Sequence, residues 1–213
     1  MLLTRHGHTV RSEPEQYLGQ RVEAPLSERG RADARRLAER LAGVHIDRLL
    51  SSPLPRAAET ATILAGDRLP VETDDRLMEL DYGAWEGITV EAIEHRFGDD
   101  YARYVADPSS FVFEGGESGG LVAQRVSSFL DDTLDWWASE SVERTVLVVG
   151  HSSLIRVMLA VLLGVPLRDY RRRFQTDWAN LTVLRWEVRA DGPQLLLGND
   201  VAHLRGASGV TWG

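Results

Sequence analysis

Leu2-Leu3-Thr4-Arg5-His6-Gly7, followed by His8-Thr9, sets an apolar start against an abruptly polar end. The pattern predicts a short strand that stops at Arg5-His6-Gly7. In open α/β sheets, ligands bind just outside the carboxyl ends of strands. Gly7 lets the backbone turn sharply and lets a ligand come close. Arg5 offers a fork of donors suited to a phosphate or a carboxylate. Taken alone, the tripeptide reads better as a strand end with a surface His and Arg. The rest of the chain decides between the two.

Working outward, Val146-Leu147-Val148-Val149 is a continuous apolar run of the kind found in strands buried on both faces. It ends in Gly150-His151-Ser152, and residues 154–163 read as the following helix. Earlier, Ser27 is placed as the N-cap of a helix with Ala34, Leu37, Ala38 and Leu41 at helical spacing and Gly43 as its stop. Residues 46–50 form a second strand candidate. Ser52-Pro53 marks a helix start, with Pro53 at the first helical position and Ala57, Ala61, Leu64 and Ala65 as the buried stripe. A short strand is expected at 70–72. From about 76 to 143 glycines and aromatics break the pattern, which predicts a helical insertion that covers one edge of the sheet as a lid. Its last helix carries Val122, Val126, Phe129, Leu130, Leu134 and Trp137 on one face. Residues 181–188 and 194–197, joined through Asp191-Gly192, suggest a hairpin. This order predicts a three-layer α/β/α sandwich with a mostly parallel sheet, an antiparallel edge and a helical insertion, all in one domain over residues 1–213. No Gly-x-Gly-x-x-Gly fingerprint follows the first strand, so dinucleotide binding is not expected.

Composition narrows the chemistry. The chain has 213 residues, 43% of them hydrophobic and 26% charged, which fits an ordinary globular protein. No apolar run reaches membrane length and no signal peptide is evident, so a cytoplasmic location is expected. Without Cys there is no thiolate nucleophile and no Cys-based zinc site. All 24 basic residues are Arg, which removes lysine Schiff-base chemistry and the phosphate-loop lysine. A net charge of −8 disfavours nucleic acid as a partner. The oligomeric state stays open, a homodimer included.

Four segments then point to one place. Arg5-His6-Gly7 and Gly150-His151-Ser152 each follow a strand. The segment from Ser51 to Ala57 follows another and puts Arg56 in the first turn of a helix. The run from Glu79 to Gly87 opens the insertion. If the strands are parallel neighbours, two His, two Arg and one Glu meet above one edge of the sheet. Two Arg and the N–H groups of helix starts make a pocket for a dianion. A His between them can attack phosphorus, and a Glu can supply the proton that a leaving alkoxide needs.

Arg-His-Gly-x-Thr near the N-terminus, Ser-x-x-x-x-Arg-Ala, Glu-x-x-x-Gly-x-Trp-Glu-Gly and a strand-ending Gly-His resemble the histidine phosphatase superfamily, the phosphoglycerate mutase-like family. The likeness runs over nearly the whole chain. The resemblance implies a phosphatase acting on a small phosphorylated substrate, similar to the α-ribazole phosphate and broad-specificity phosphatases, with no cofactor and no metal. It implies His6 as the nucleophile that becomes phosphohistidine, and Arg5, Arg56 and His151 as the clamp on the phosphoryl oxygens. Glu79 would be the acid for the leaving group and then the base for water. Ser12, Gln20 and Ser152 would complete the phosphate contacts. Two departures stand out: family members often carry Asn at the position of Ser12, and often Gly at that of Ser152.

Other residues carry quieter readings. His8 is taken as structural or at the rim, and His45, His95 and His203 as surface or satisfied within the fold. Trp85 is expected to anchor packing, Glu86 to hold a turn, and Glu117 to cap a Gly-rich bend. A serine hydrolase using Ser152, with Asp200 and His203, is a distant alternative, because Leu154 stands where that motif needs a second Gly. A metal site built from His6, His8, Glu79 and His151 would place a cation beside two arginines. A fold that only binds a phosphorylated partner would have no need of all five catalytic-type residues. The nearer alternative is a cofactor-dependent phosphoglycerate mutase. Such an enzyme needs extra cations in the outer pocket wall, which is expected from residues 86–118, where the basic side chains are Arg96 and Arg103.

Overall fold

The computed structural model describes residues 1–139, 143–186 and 192–205. Its six strands are β1 (Leu2–Arg5), β2 (Arg48–Ser51), β3 (Val71–Thr73), β4 (Val146–Gly150), β5 (Leu181–Arg185) and β6 (Gln194–Asp200), in the spatial order β3-β2-β4-β1-β5-β6. β3, β2, β4 and β1 run parallel; β5 and β6 add an antiparallel edge. The parallel register sets Arg5 beside Gly150 and Ser51 beside Val149, so three strand ends open on the same side.

Among the described residues, seven α-helices flank or bridge this sheet: α1 (Glu28–Arg40), α2 (Pro55–Ala65), α3 (Val90–Arg96), α4 (Gly98–Ala106), α5 (Gly119–Ala138), α6 (Ser152–Leu163) and α7 (Tyr170–Arg173). The strand period of two sends alternate residues to opposite faces. Leu2, Leu49, Leu147 and Val149 pack with Leu37, Ala57, Ala61 and Leu64 of α1 and α2. Leu3, Leu50, Val146 and Val148 pack with Val126, Phe129, Ile155 and Met158 of α5 and α6. Both faces are therefore apolar along β4, and each fully buried Leu or Val contributes about 1.5–3 kcal/mol. That burial fixes the strand ends where the polar residues begin. No helix among the described residues is long and apolar enough to cross a membrane.

Several local expectations shift. α1 ends at Arg40 with Leu41 as its C-cap, two residues short of Gly43. α2 begins at Pro55 rather than Pro53, because Leu54, preceding a proline, takes an extended backbone (φ −62°, ψ 133°). Arg56 still falls in the first turn. α6 starts earlier than expected, at Ser152, and β6 runs on to Asp200. The expected strand residues 187–188 and Asp191 of the predicted turn lie outside the described residues. The insertion does not simply cover an edge: α5 belongs to the face layer beside α6, with Val122, Val126, Phe129 and Leu130 in the core.

The exit of β1 is pressed against α1 by two glycines. A Cβ on Gly30 would meet the His8 carbonyl oxygen at 2.0 Å, and one on Gly7 would meet the Gly30 carbonyl oxygen at 2.7 Å. Both obstacles are backbone, so the helix or the loop must move. Gly30→Ala is expected to destabilise the protein by about 1–3 kcal/mol, the usual cost of overpacking. Its denaturation midpoint in urea should drop; an unchanged midpoint would contradict this account of the contact.

Candidate active site

The sequence segments set apart above meet at the carboxyl ends of β1 and β4. His6 continues β1, donating its backbone N–H to the Gly150 carbonyl at 2.9 Å. Its Nδ1 lies 2.8 Å from the Gly7 carbonyl oxygen, which can only accept. Nδ1 therefore carries the proton, and Nε2 keeps its lone pair. The His151 ring stands 5.2 Å from the His6 ring, centroid to centroid. Burial, then the charges of Arg56 and Arg5, hold His6 well below the usual histidine range. His151 is held there by burial, then by Arg56 and His6. Both imidazoles are thus neutral at neutral pH.

The cations around them are held mainly by backbone carbonyls, with the exposed Glu15 carboxylate 3.6 Å from Arg5. Arg5 donates from Nη1 to the Thr176 carbonyl at 3.0 Å, and its guanidinium lies 4.8 Å from the Trp178 ring centroid. Arg56 donates from Nη2 to the carbonyls of Leu18 (3.0 Å) and Gly19 (2.7 Å), tying the 17–20 loop to α2. Arg5 Nε, Arg56 Nε and both ring nitrogens of His151 are buried without a hydrogen-bond partner. Buried polar atoms are almost always satisfied, so a cluster of orphans marks a place for a ligand. These are donors or neutral imidazole nitrogens, a set suited to an anion with several oxygens.

Glu79 is 4% exposed and takes hydrogen bonds from three backbone N–H groups. Oε1 accepts from Leu80 (2.8 Å) and Leu154 (3.1 Å), and Oε2 accepts from Ser153 (3.1 Å). The carboxylate thus occupies much of the α6 N-terminus that the sequence reading had assigned to phosphate. Around it, Tyr82 donates to or accepts from Ser153 Oγ at 2.7 Å.

A cavity of about 220 Å³ opens over this floor, with Arg5, His6, Ser12, Glu79 and Ser152 on its lining. His151 and Arg56 sit in the floor beside His6 rather than on the lining. Ser12 reaches the cavity, but its hydroxyl already accepts from Thr9 N–H at 2.9 Å. Ser152 Oγ pairs with Thr176 Oγ1 at 2.8 Å. Gln20 is not brought to the lining: its amide donates to the Glu79 carbonyl (2.8 Å) and to Glu117 (3.1 Å), bracing the acid from behind. Glu117 also receives Arg125 and the Asp81 N–H. Glu86 holds the 20–22 loop through the N–H groups of Gln20, Arg21 and Val22. His8 is engaged by Ser27 and Glu13, away from the reacting centre. Among the described residues no group of three or more His, Asp or Glu side chains converges as a metal site.

The outer wall differs from the expectation. Residues 86–118 contribute Val90 and Tyr104 to the lining, and neither Arg96 nor Arg103 reaches it. The wall is built instead by Arg11, Glu15, Gln16, Tyr17 and Leu18 of the first loop, by Arg156 of α6, by Arg171 of α7 and by Trp178. Arg156 had a legible signal, since it lies four residues beyond Ser152 and so on the same helix face. Arg171 had none, because the run Arg171-Arg172-Arg173 does not say which side chain turns inward.

The histidine phosphatase superfamily (branch 1) matches the chain over residues 1–201. Phosphoserine phosphatase 1 of Hydrogenobacter thermophilus is 35% identical over 205 residues, covering 96% of this chain and 93% of that protein. A glucosyl-3-phosphoglycerate phosphatase of Mycolicibacterium vanbaalenii is 35% identical over 199 residues, 90% of this chain and 86% of that one. Among solved structures, Bacillus stearothermophilus YhfR superposes with a TM-score of 0.85 at 30% identity, over 96% of this chain and 98% of that chain. The chain belongs to the histidine phosphatase superfamily.

Proposed function

We propose that the protein is a phosphomonoester hydrolase that releases phosphate from a small organic ester through a phosphohistidine on His6. The observation that supports this most is the ring of orphaned donors, Arg5 Nε, Arg56 Nε and His151, around the free lone pair of His6 Nε2. The phosphoryl oxygens lie against Arg5, Arg56 and His151, and the charge of the dianion in turn favours protonation of His151. His6 Nε2 attacks phosphorus, so that an N–P bond forms as the ester P–O bond breaks. Glu79 delivers a proton to the departing alkoxide, and the alcohol leaves. Water then attacks the phosphohistidine while Glu79 takes its proton, the N–P bond breaks back onto His6, and phosphate departs.

The names of the relatives carry different substrates, phosphoserine and glucosyl-3-phosphoglycerate. The shared reaction is what we carry over; α-ribazole phosphate and broad-specificity hydrolysis lie within it. We take residues 1–213 as one domain working in the cytoplasm, with a homodimer as the assembly to look for. Ser152 serves the phosphate through its backbone N–H in this reading, since its hydroxyl pairs with Thr176, whereas Ser12 is turned to Thr9 by both its N–H and its hydroxyl.

The test is release of inorganic phosphate from a panel of phosphomonoesters by purified protein, before and after prolonged dialysis against a chelator. Arg5, Arg56 and the floor donors already supply the positive field that a metal would bring, so the rate should survive dialysis unchanged. Loss restored only by a divalent cation would favour a metal hydrolase. Bisphosphoglycerate-stimulated interconversion of 3- and 2-phosphoglycerate, with little phosphate released, would favour a mutase.

A further inference from the structure

Three cations of the cavity are left over once the phosphoryl group is accounted for: Arg11, which is exposed and donates to Gln16, and the half-buried Arg156 and Arg171. Arg156, one helical turn beyond Ser152 on α6, lines the cavity, and its Nε is buried without a partner. Arg171 also lines it, with Nη1 buried and unpartnered and the guanidinium 4.4 Å from the Tyr104 ring centroid. Neither forms an ion pair among the described residues. The groups facing Arg171 are Tyr17, which is hydrogen-bonded to it, Tyr82, Tyr104 and Tyr170, and burial pushes every one of these phenols above its ordinary range, Tyr170 to about 12. They are neutral at physiological pH and compensate no charge. The two carboxylates of the lining are otherwise committed. Glu79 is held by backbone N–H groups, and the mostly exposed Glu15 lies 3.6 Å from Arg5. Both side chains are half-buried, and their buried nitrogens without a partner are places for the oxygens of an incoming anion.

We propose that Arg156 and Arg171 form a second anion subsite, and that the preferred substrate is a small phosphomonoester whose alcohol portion carries a carboxylate. A guanidinium fork matches the planar carboxylate in a bidentate way. A cavity of about 220 Å³ suits a compact ester rather than a large one. This deepens the phosphatase reading above and rests on it for the position of the phosphoryl group.

The experiment compares kcat/KM within pairs that differ in the carboxylate: O-phosphoserine against O-phosphoethanolamine, and 3-phosphoglycerate against glycerol 3-phosphate. The native protein should favour the carboxylated ester by about tenfold or more, as expected for a desolvated charge-assisted contact. Arg171→Gln and Arg156→Gln should each bring that ratio towards one. A merely structural role would lower both members of a pair alike and leave the ratio standing, which would overturn the assignment. A ratio near one in the native protein would overturn it as well. Calorimetric binding of the same pairs to the His6→Ala protein reads the preference without turnover. If no ester, nitrophenyl phosphate included, releases phosphate, the hydrolase reading fails. The binding ratio then judges the subsite separately, and equal affinities would refute it.

Discussion

His6→Ala should lower kcat/KM for every phosphomonoester by about four orders of magnitude or more, the scale on which losing a covalent nucleophile is felt. The substitution removes one side chain whose only hydrogen bond among the described residues is to the neighbouring Gly7 carbonyl, so little of the fold depends on it. Circular dichroism and the denaturation midpoint should stay close to the native values. Phosphate from a labelled ester, trapped by rapid quenching at alkaline pH, should be found on the native protein and be missing from the variant. Ser152→Ala is the matched control. Its hydroxyl pairs with Thr176 rather than facing His6, and its backbone N–H is unaffected, so the loss should be within a few-fold. The opposite pattern, full activity in His6→Ala and none in Ser152→Ala, would convert the site into a serine hydrolase and remove the basis of the phosphohistidine mechanism.

The residues of the floor were legible because each stands at the end of an element that periodicity alone defines. Leu2–Arg5 and Val146–Gly150 announce themselves as apolar runs, and Arg5, His6 and His151 follow from where those runs stop. Arg56 survived a mistaken helix start, since either Pro53 or Pro55 could open α2 and both place it in the first turn. What could not be read is what depends on tertiary contact. Gln20 and Ser12 are polar side chains in a loop, and only the folded chain shows that one braces Glu79 and the other closes a turn on Thr9. The outer wall was misplaced for a similar reason. It was expected from the long aromatic insertion, but the rings of Trp85, Tyr104, Phe111 and Phe113 pack mostly against one another, with centroids 5.0–5.8 Å apart. The insertion thereby spends most of its aromatic surface on its own core. The pocket is closed instead by short segments, the first loop, α6 and α7, and of their cations only Arg156 could be placed from its helical spacing to Ser152, since the run Arg171-Arg172-Arg173 does not say which side chain turns inward.

Glu79→Gln should lower kcat/KM for alkyl phosphates about 100-fold or more, and for nitrophenyl phosphate by much less. An alkoxide leaves only if a proton reaches it in the transition state, whereas nitrophenolate is stable enough to leave without one. Gln cannot deliver that proton. The same change also disturbs structure. Three backbone N–H groups converge on the carboxylate, and an amide can accept on one side only, so the NH2 group confronts the Ser153 N–H. An unsatisfied buried donor costs about 1–3 kcal/mol, and the denaturation midpoint should fall accordingly. That structural loss acts on the protein before any substrate binds and weighs equally on both esters. Their ratio therefore isolates the chemistry. The choice of kcat/KM matters too: it reports events up to formation of the phosphoenzyme, so the later work of Glu79 as a base towards water does not enter. Slow hydrolysis would show separately, as a burst of nitrophenolate equal to the amount of enzyme. Equal losses in kcat/KM for alkyl and aryl esters would mean that Glu79 serves to hold the start of α6 and gives no proton to the leaving group.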